Sequence, residues 1–151
     1  MDTCRLDLFP VELVHHLLNY FSSHEILRTF SDVSSYLDAV LLAYPYYRVN
    51  FKSILRTDFD LVCRRISPNQ VISLTLSDDR NTPGQIRLFL SRFRIDEFTR
   101  LRSLTLIDVG AEFWEPIVSK LAQLPRLRSF SFVTPTTDDS WLCEISNDER
   151  T

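Results

Sequence analysis

Glycine is nearly missing from this chain of 151 residues, where it occurs only at positions 84 and 110. Phosphate-cradling loops and dinucleotide fingerprints need several closely spaced glycines, because the backbone must approach the phosphate without a Cβ in the way. The sequence therefore argues strongly against a nucleotide-binding enzyme of either kind.

Cysteine is scarce as well. Cys4, Cys63 and Cys143 are far apart, odd in number and never part of a Cys-x-x-Cys pair. This spacing predicts neither a disulfide framework nor a zinc ribbon, and it is typical of proteins from a reducing cytosolic or nuclear compartment.

Long apolar runs are also lacking. No run approaches the ~18 residues that a membrane-spanning helix needs, and the opening MDTCRLDLFP has acids where a secretory signal has its apolar region. The net charge of −3 gives no general attraction to nucleic acid or anionic lipid. We therefore expect a soluble cytoplasmic protein, with the nucleus as the alternative, and neither a nucleic-acid nor a membrane partner.

Three short helices are predicted within residues 1–45. Pro10 suits the first turn of the first helix, Ser22 or Ser23 with Glu25 forms a capping box for the second, and Pro45 ends the third. The second helix is expected over 25–33 and the third over 34–44. The first helix has one broad apolar face, formed by Leu13, Val14, Leu17, Leu18, Tyr20 and Phe21. Three helices of this size cannot enclose a core alone, so another part of the chain or a partner must cover them.

The stretch LFPVELVHHLLNYFSSHEILRTFSDVSSYLDAVLL, residues 8–42, resembles an F-box, the module that docks on the Skp-type adaptor of cullin–RING ubiquitin ligases. Residues 9–13 match the family's Leu-Pro-x-Glu-Leu opening, and residues 25–27 match its Asp-Leu-Leu. The third helix departs from the pattern, since residues 32–36 replace the usual Val-Cys-Arg and Trp. The resemblance implies that the adaptor contacts Leu8, Phe9, Pro10, Leu13, Leu17, Tyr20, Phe21, Ile26, Leu27 and Phe30.

The remainder of the chain contains a repeat. VISLTLSD at 71–78, LRSLTLID at 101–108 and LRSFSFVT at 127–134 share apolar residues at relative positions 1, 4 and 6, and YRVNF at 47–51 is a weaker copy. Alternation of this kind predicts short strands buried on one side. Helical patterns are predicted between them, with a Thr57 cap for 57–66, and over 82–98 and 112–124.

Strand–helix units at this spacing are typical of a leucine-rich-repeat array, in which each unit buries its apolar edge against the next. The pattern resembles the repeats often found behind an F-box, although Asp79, Val109 and Pro135 stand where that family usually has Asn or Cys. A small α/β domain with a parallel sheet is the alternative. In the repeat interpretation a concave, target-binding face is formed by Ser73, Thr75, Arg102, Ser103, Thr105, Arg128, Ser129 and Ser131.

Residues 135–151 are polar. Either Trp141, Leu142 and Ile145 fold back as a minimal cap, or the chain is one end of a longer array.

The candidates for chemistry are weak. Glu12 and His16 could chelate a metal, but zinc needs three or four protein ligands, and both histidines of the first helix are predicted on a solvated face with Glu12 and Asn19. No serine lies in Gly-x-Ser-x-Gly and no cysteine lies near a histidine in sequence. A third candidate, which could bind nucleic acid or a phosphopeptide, is a run of basic residues: Arg87, Arg92, Arg94, Arg100 and Arg102. Acidic residues nearby favour the alternative that this run is the solvated face of a helix.

These observations predict an α+β chain with a three-helix F-box-like module at 1–45, a short solenoid of leucine-rich-repeat-like units with parallel strands at 46–134, and a tail or minimal cap at 135–151. The expected function is non-catalytic: the substrate-recognition subunit of an SCF-type ubiquitin ligase, which needs no metal or other cofactor. Its partners would be a Skp-type adaptor and an unknown target protein. The alternative is a repeat scaffold whose helices only cap the array.

Overall fold

One sheet organises the chain, and its five strands lie in chain order, β1-β2-β3-β4-β5. The structure, a computed structural model, describes residues 5–134 and 142–146. Strands β1 to β4 are parallel and β5 runs antiparallel to β4. Their bounds are Tyr47–Asn50, Val71–Ser77, Ser103–Ile107, Ser129–Val133 and Leu142–Ser146. The predicted α+β class with parallel strands is therefore confirmed.

Within the described residues, six α-helices accompany the sheet. The first three precede it and the other three each connect two successive parallel strands: α1 (Val11–Leu18), α2 (Ser23–Phe30), α3 (Ser35–Ala43), α4 (Arg56–Arg65), α5 (Gln85–Arg92) and α6 (Ala111–Leu121). Short 3-10 helices lie at Arg5–Leu8, Pro68–Gln70 and Ile95–Glu97. Of the helices in the described ranges, none is long and apolar enough to cross a bilayer.

The capping box predicted before the second helix is present. The backbone N–H of Ser22 donates to Glu25 Oε2 at 2.9 Å, and the Ser22 side chain accepts from the Glu25 backbone. Glu25 therefore uses its carboxylate to satisfy an amide that the helix leaves free.

Three predicted details of the helices are wrong. The helix predicted over 82–98 is divided, because α5 ends at Arg92 where Phe93 is extended, and a 3-10 helix follows at Ile95–Glu97. Thr57 is not a cap, because α4 begins at Arg56 after an extended Leu55. Val33 lies outside α2, which ends at Phe30 where Ser31 takes an extended conformation, and Val33 is exposed.

The strands pair in the register that the repeat predicts. Repeat positions 4 and 6 form two rows across β2, β3 and β4: Leu74–Leu104–Phe130 and Leu76–Leu106–Phe132. The weaker copy at 47–51 joins as β1, with Val49 opposite Leu74. Because alternate residues of a strand point to opposite faces, these rows form one apolar face of the sheet.

The apolar face is covered by helices. Phe59 and Val62 of α4, Ile86 and Phe89 of α5, and Ile117 of α6 are each no more than 2% exposed and belong to the same core as the strand leucines. That core continues into the N-terminal helices, so the predicted module 1–45 and the strand–helix part share their interior.

Several polar contacts join the module to the strand–helix part of the chain. The buried Gln70 amide donates to three carbonyls at the end of α3, from Leu41, Leu42 and Tyr44, at 2.8–3.2 Å. Arg28 of α2 forms a 3.0 Å ion pair with the buried Asp58 of α4. The last carbonyls of a helix lack partners within it, and Gln70 supplies them from the start of β2.

Part of the C-terminal segment returns to the sheet. The backbone of β5 pairs with β4 from Ser129 opposite Ser146 to Val133 opposite Leu142. This agrees with the fold-back alternative for Leu142 and Ile145, whereas Trp141 and Pro135 lie outside the described residues.

Candidate protein-interaction surfaces

An apolar groove lies at the N-terminal end of α1. Its volume is about 160 Å³ and its lining is entirely apolar: Leu6, Phe9, Leu13, Val14 and Leu17. Val14 is buried and forms the floor, whereas Leu13 on the rim is 56% exposed. We name these five residues the α1 groove.

The segment before α1 is hydrogen-bonded to the first residues of α3 and to the residue before it. The Tyr36 hydroxyl donates to the Phe9 carbonyl at 2.5 Å, and the Ser34 hydroxyl donates to Asp7 Oδ1 at 2.7 Å. Tyr36 occupies the region in which the sequence departs most from the F-box pattern. Its contact nevertheless supports the position of the Phe9-Pro10 pair.

The ten residues that the resemblance assigned to adaptor contact divide into two groups. Leu8, Phe9, Pro10, Leu13, Tyr20 and Phe21 are exposed, and Leu17 is half-buried in the α1 groove. Leu8 and Tyr20 are the most open, at 79% and 76% exposure. Ile26, Leu27 and Phe30 point into the core instead, so a partner that docks on this surface reaches the first group and not these three. Exposed apolar patches mark protein-interaction sites, and the α1 groove is such a patch.

The predicted solvated face of α1 is partly wrong. Glu12 and His16 are exposed, but His15 is half-buried, with its ring 5.2 Å from that of Tyr44 and its Nε2 3.4 Å from the Val40 carbonyl oxygen. Asn19 accepts a hydrogen bond from the Tyr44 hydroxyl. His15 therefore packs against the end of α3, whereas Asn19 is exposed as predicted.

A second surface is the face of the sheet opposite the helices. Six of the predicted target-binding residues form two rows across β2, β3 and β4: Ser73–Ser103–Ser129 and Thr75–Thr105–Ser131. All six are half-buried, and Arg102 and Arg128 are exposed beside the first row. We name this surface the hydroxyl face.

The hydroxyl face extends onto β1, which the sequence reasoning missed. Arg48 pairs with Ser73 and Asn50 with Thr75, so both belong to the two rows. The weak repeat at 47–51 could have shown this. When Val49 is aligned with Leu74, Arg48 takes the position equivalent to Ser73, which the repeat assigns to the hydroxyl face.

The predicted basic run is only partly offset by acids. Arg87 pairs with Glu112, Arg92 with Asp60, and Arg94 with Asp96, at 3.6, 3.1 and 2.7 Å. Arg100 and Arg102 form no ion pair within residues 5–134.

A cleft of about 290 Å³ lies where β1 and β2 end, between the loops that lead into α4 and α5. Its polar side chains already have partners: Gln85 accepts from the Ser77 amide and donates to the Phe51 carbonyl, and Thr82 donates to the Ser77 carbonyl. These hydrogen bonds hold the two loops in place, and neither Gln85 nor Thr82 is an acid or a base.

Within residues 5–134, no group of three or more His, Cys, Asp or Glu side chains could hold a metal ion. Burial raises the pKa of the Cys63 thiol to about 11, which keeps it protonated and unreactive near neutral pH.

Comparison of the chain with protein-family models, curated proteins and solved structures gives no match.

Proposed function

We propose that this chain is the substrate-recognition subunit of an SCF-type cullin–RING ubiquitin ligase. The observation that carries the proposal is the α1 groove: an apolar, solvent-open surface at the sequence that resembles an F-box opening. Phe9 and Leu13 of the groove, and Pro10 next to Phe9, belong to the stretch 9–13 that resembles the family's opening. We infer that a Skp-type adaptor covers it.

The strand–helix units would hold the target. Consecutive parallel strands in chain order, with helices on one face only, support a leucine-rich-repeat-like array with its other face open. The hydroxyl face lies on that open side and is free of helices in the part of the chain that the structure describes.

The mechanism is proximity. Binding of adaptor and target to one chain raises the effective concentration of the target near a ubiquitin carrier that the ligase brings. The Gln70 and Arg28–Asp58 contacts between module and sheet favour a fixed geometry of the two surfaces. No reacting group is required of this chain.

The test is co-purification with a Skp-type adaptor. Leu13→Asp places a charge on the rim of the α1 groove, and removal of a central anchor from an interface typically costs about 2 kcal/mol or more, equivalent to roughly 30-fold in affinity. Val33→Asp is the matched control, because Val33 is similarly exposed at 51% but lies outside the groove. We expect loss of the adaptor with the first variant only.

A binding scaffold is the second candidate, favoured by the core that the helical module shares with the sheet. In that case the helices act as a cap for the array. A chain that stays monomeric in the presence of excess adaptor would support the scaffold and refute the ligase proposal.

A further inference from the structure

We propose that the hydroxyl face binds an extended acidic peptide segment of the target protein through Arg48, Arg102 and Arg128. This inference rests on the proposed function, because only that function identifies the bound peptide as part of a target protein.

Eight arginines within residues 5–134 form no ion pair there, and three of them, Arg48, Arg102 and Arg128, lie on or beside the hydroxyl face; the other five are Arg5, Arg64, Arg80, Arg100 and Arg126. Six other arginines form ion pairs with Asp or Glu at 2.7–3.6 Å: Arg28, Arg56, Arg65, Arg87, Arg92 and Arg94. Within residues 5–134, by contrast, no carboxylate lies within 4.0 Å of the guanidinium of Arg48, Arg102 or Arg128. All three are exposed.

Two of them are immediate neighbours on adjacent chain segments. The backbone N–H of Arg128 donates to the Arg102 carbonyl oxygen at 2.8 Å, which puts the two residues side by side at the amino ends of β4 and β3. Like charges side by side on neighbouring strands are destabilising. A bound carboxylate between them removes that repulsion, and guanidinium groups suit planar, bidentate recognition of carboxylates.

The face around these arginines has a single sign of charge. Its outward positions on β1 to β4 hold Arg48, Asn50, serines, threonines, Ile107 and Val133, and no acid. The chain as a whole carries −3, so the cationic area is local.

The spacing fits an extended peptide laid across the strands. Strands are about 4.8 Å apart, so β1 and β4 are separated by about 14 Å, which an extended chain covers in about four residues. Alternate residues of an extended peptide point the same way. Acidic side chains at every second position would therefore face the arginines, while the hydroxyls pair with the peptide's polar groups.

A nucleic acid is the less favoured polyanion. Single-stranded nucleic acid is usually held by aromatic side chains that stack on its bases, together with a basic groove. The outward positions of β1 to β4 contain no aromatic residue, whereas serine and threonine suit a peptide backbone.

The experiment measures fluorescence anisotropy of a labelled nine-residue probe with glutamate at every second position and serine between. It uses the full chain without adaptor. We expect saturable binding that weakens as the salt concentration rises. The affinity should fall at least about tenfold in the double variant Arg102→Gln, Arg128→Gln. The control substitution Arg64→Gln on α4 should leave the affinity unchanged. The same probe with glutamine for glutamate should not bind.

Three results would overturn the inference: no binding of the glutamate probe, equal binding to the double variant and Arg64→Gln, or tighter binding of a nine-nucleotide oligothymidine than of the peptide. Thermal unfolding of each variant shows whether binding is lost only because the variant no longer folds. Because the adaptor takes no part, a chain that ignores the adaptor but binds the probe refutes the ligase proposal and leaves this one standing.

Discussion

Replacement of Gln70 by leucine should loosen the joint between the helical module and the sheet. Gln70 is buried, its amide N–H groups serve the carbonyls of Leu41, Leu42 and Tyr44, and its Oε1 accepts from the Ser67 amide at 3.0 Å. Leucine fills a similar volume but offers none of these hydrogen bonds. The change therefore isolates the polar contacts from the packing.

The cost depends on which partners are left alone. The Leu41 carbonyl keeps a 2.8 Å hydrogen bond from the Tyr47 hydroxyl, and the Leu42 bond lies where water can reach it. The Tyr44 carbonyl is buried and loses its side-chain partner, and a buried polar group left unsatisfied costs about 1–3 kcal/mol. With a smaller contribution from the half-buried Ser67 amide, we expect a loss of about 2–3 kcal/mol in the free energy of unfolding.

Urea and thermal unfolding followed by circular dichroism give the measurement. For a chain of this length the loss corresponds to a fall in Tm of roughly 5–10 °C. Gln123→Leu is the control, because Gln123 is exposed and the substitution should stay within about 0.5 kcal/mol of the parent. If Gln70→Leu were as stable as Gln123→Leu, the role assigned to this amide would be wrong.

Three further predictions concern stability and reactivity. Gly84→Ala should destabilise by about 1 kcal/mol because Gly84 has a φ of +76°, whereas Gly110→Ala should be nearly neutral in the same unfolding assay; equal effects would contradict the assigned backbone conformation. The Cys63 thiol has a pKa of about 11 against an ordinary 9.0, so at pH 8 it should react about a hundredfold more slowly than an unshifted thiol. Peptide mapping after timed alkylation measures this rate. Equal rates in folded and urea-unfolded protein would refute the prediction. The hydrogen bond from the Ser22 amide lowers the pKa of Glu25 below its ordinary 4.5. The stabilisation from ionised Glu25 is therefore present above that pH and is lost as pH falls below it. Glu25→Gln should reduce this loss of unfolding free energy at acid pH, and the same pH dependence of stability in parent and variant would argue against the capping contact.

The strand part of the fold was predictable because its signal is repeated. The alternation at 71–78, 101–108 and 127–134 fixes which side chains are buried, and a slip of one residue would turn every leucine to the wrong face. The observed register between Leu74, Leu104 and Phe130 follows from this. β5 could not be predicted in the same way, because its segment is short, polar and without a repeat partner.

The helical surface was predicted less completely. A helical wheel sorts residues by side but does not show which side meets the rest of the chain, so the wheel grouped the exposed Leu13 with the buried Val14. His15 was misplaced for the same reason, since only the packing of α3 brings Tyr44 against it. Arg48 was missed because β1 has just two alternating apolar positions before its end.

Isothermal titration of the purified chain with a purified Skp-type adaptor tests directly whether the adaptor covers the α1 groove. We predict a 1:1 complex with a negative heat-capacity change, the signature of apolar burial. Leu13→Asp should abolish this complex and Val33→Asp should preserve it. Absence of binding by the parent chain, or equal binding by both variants, would contradict this prediction.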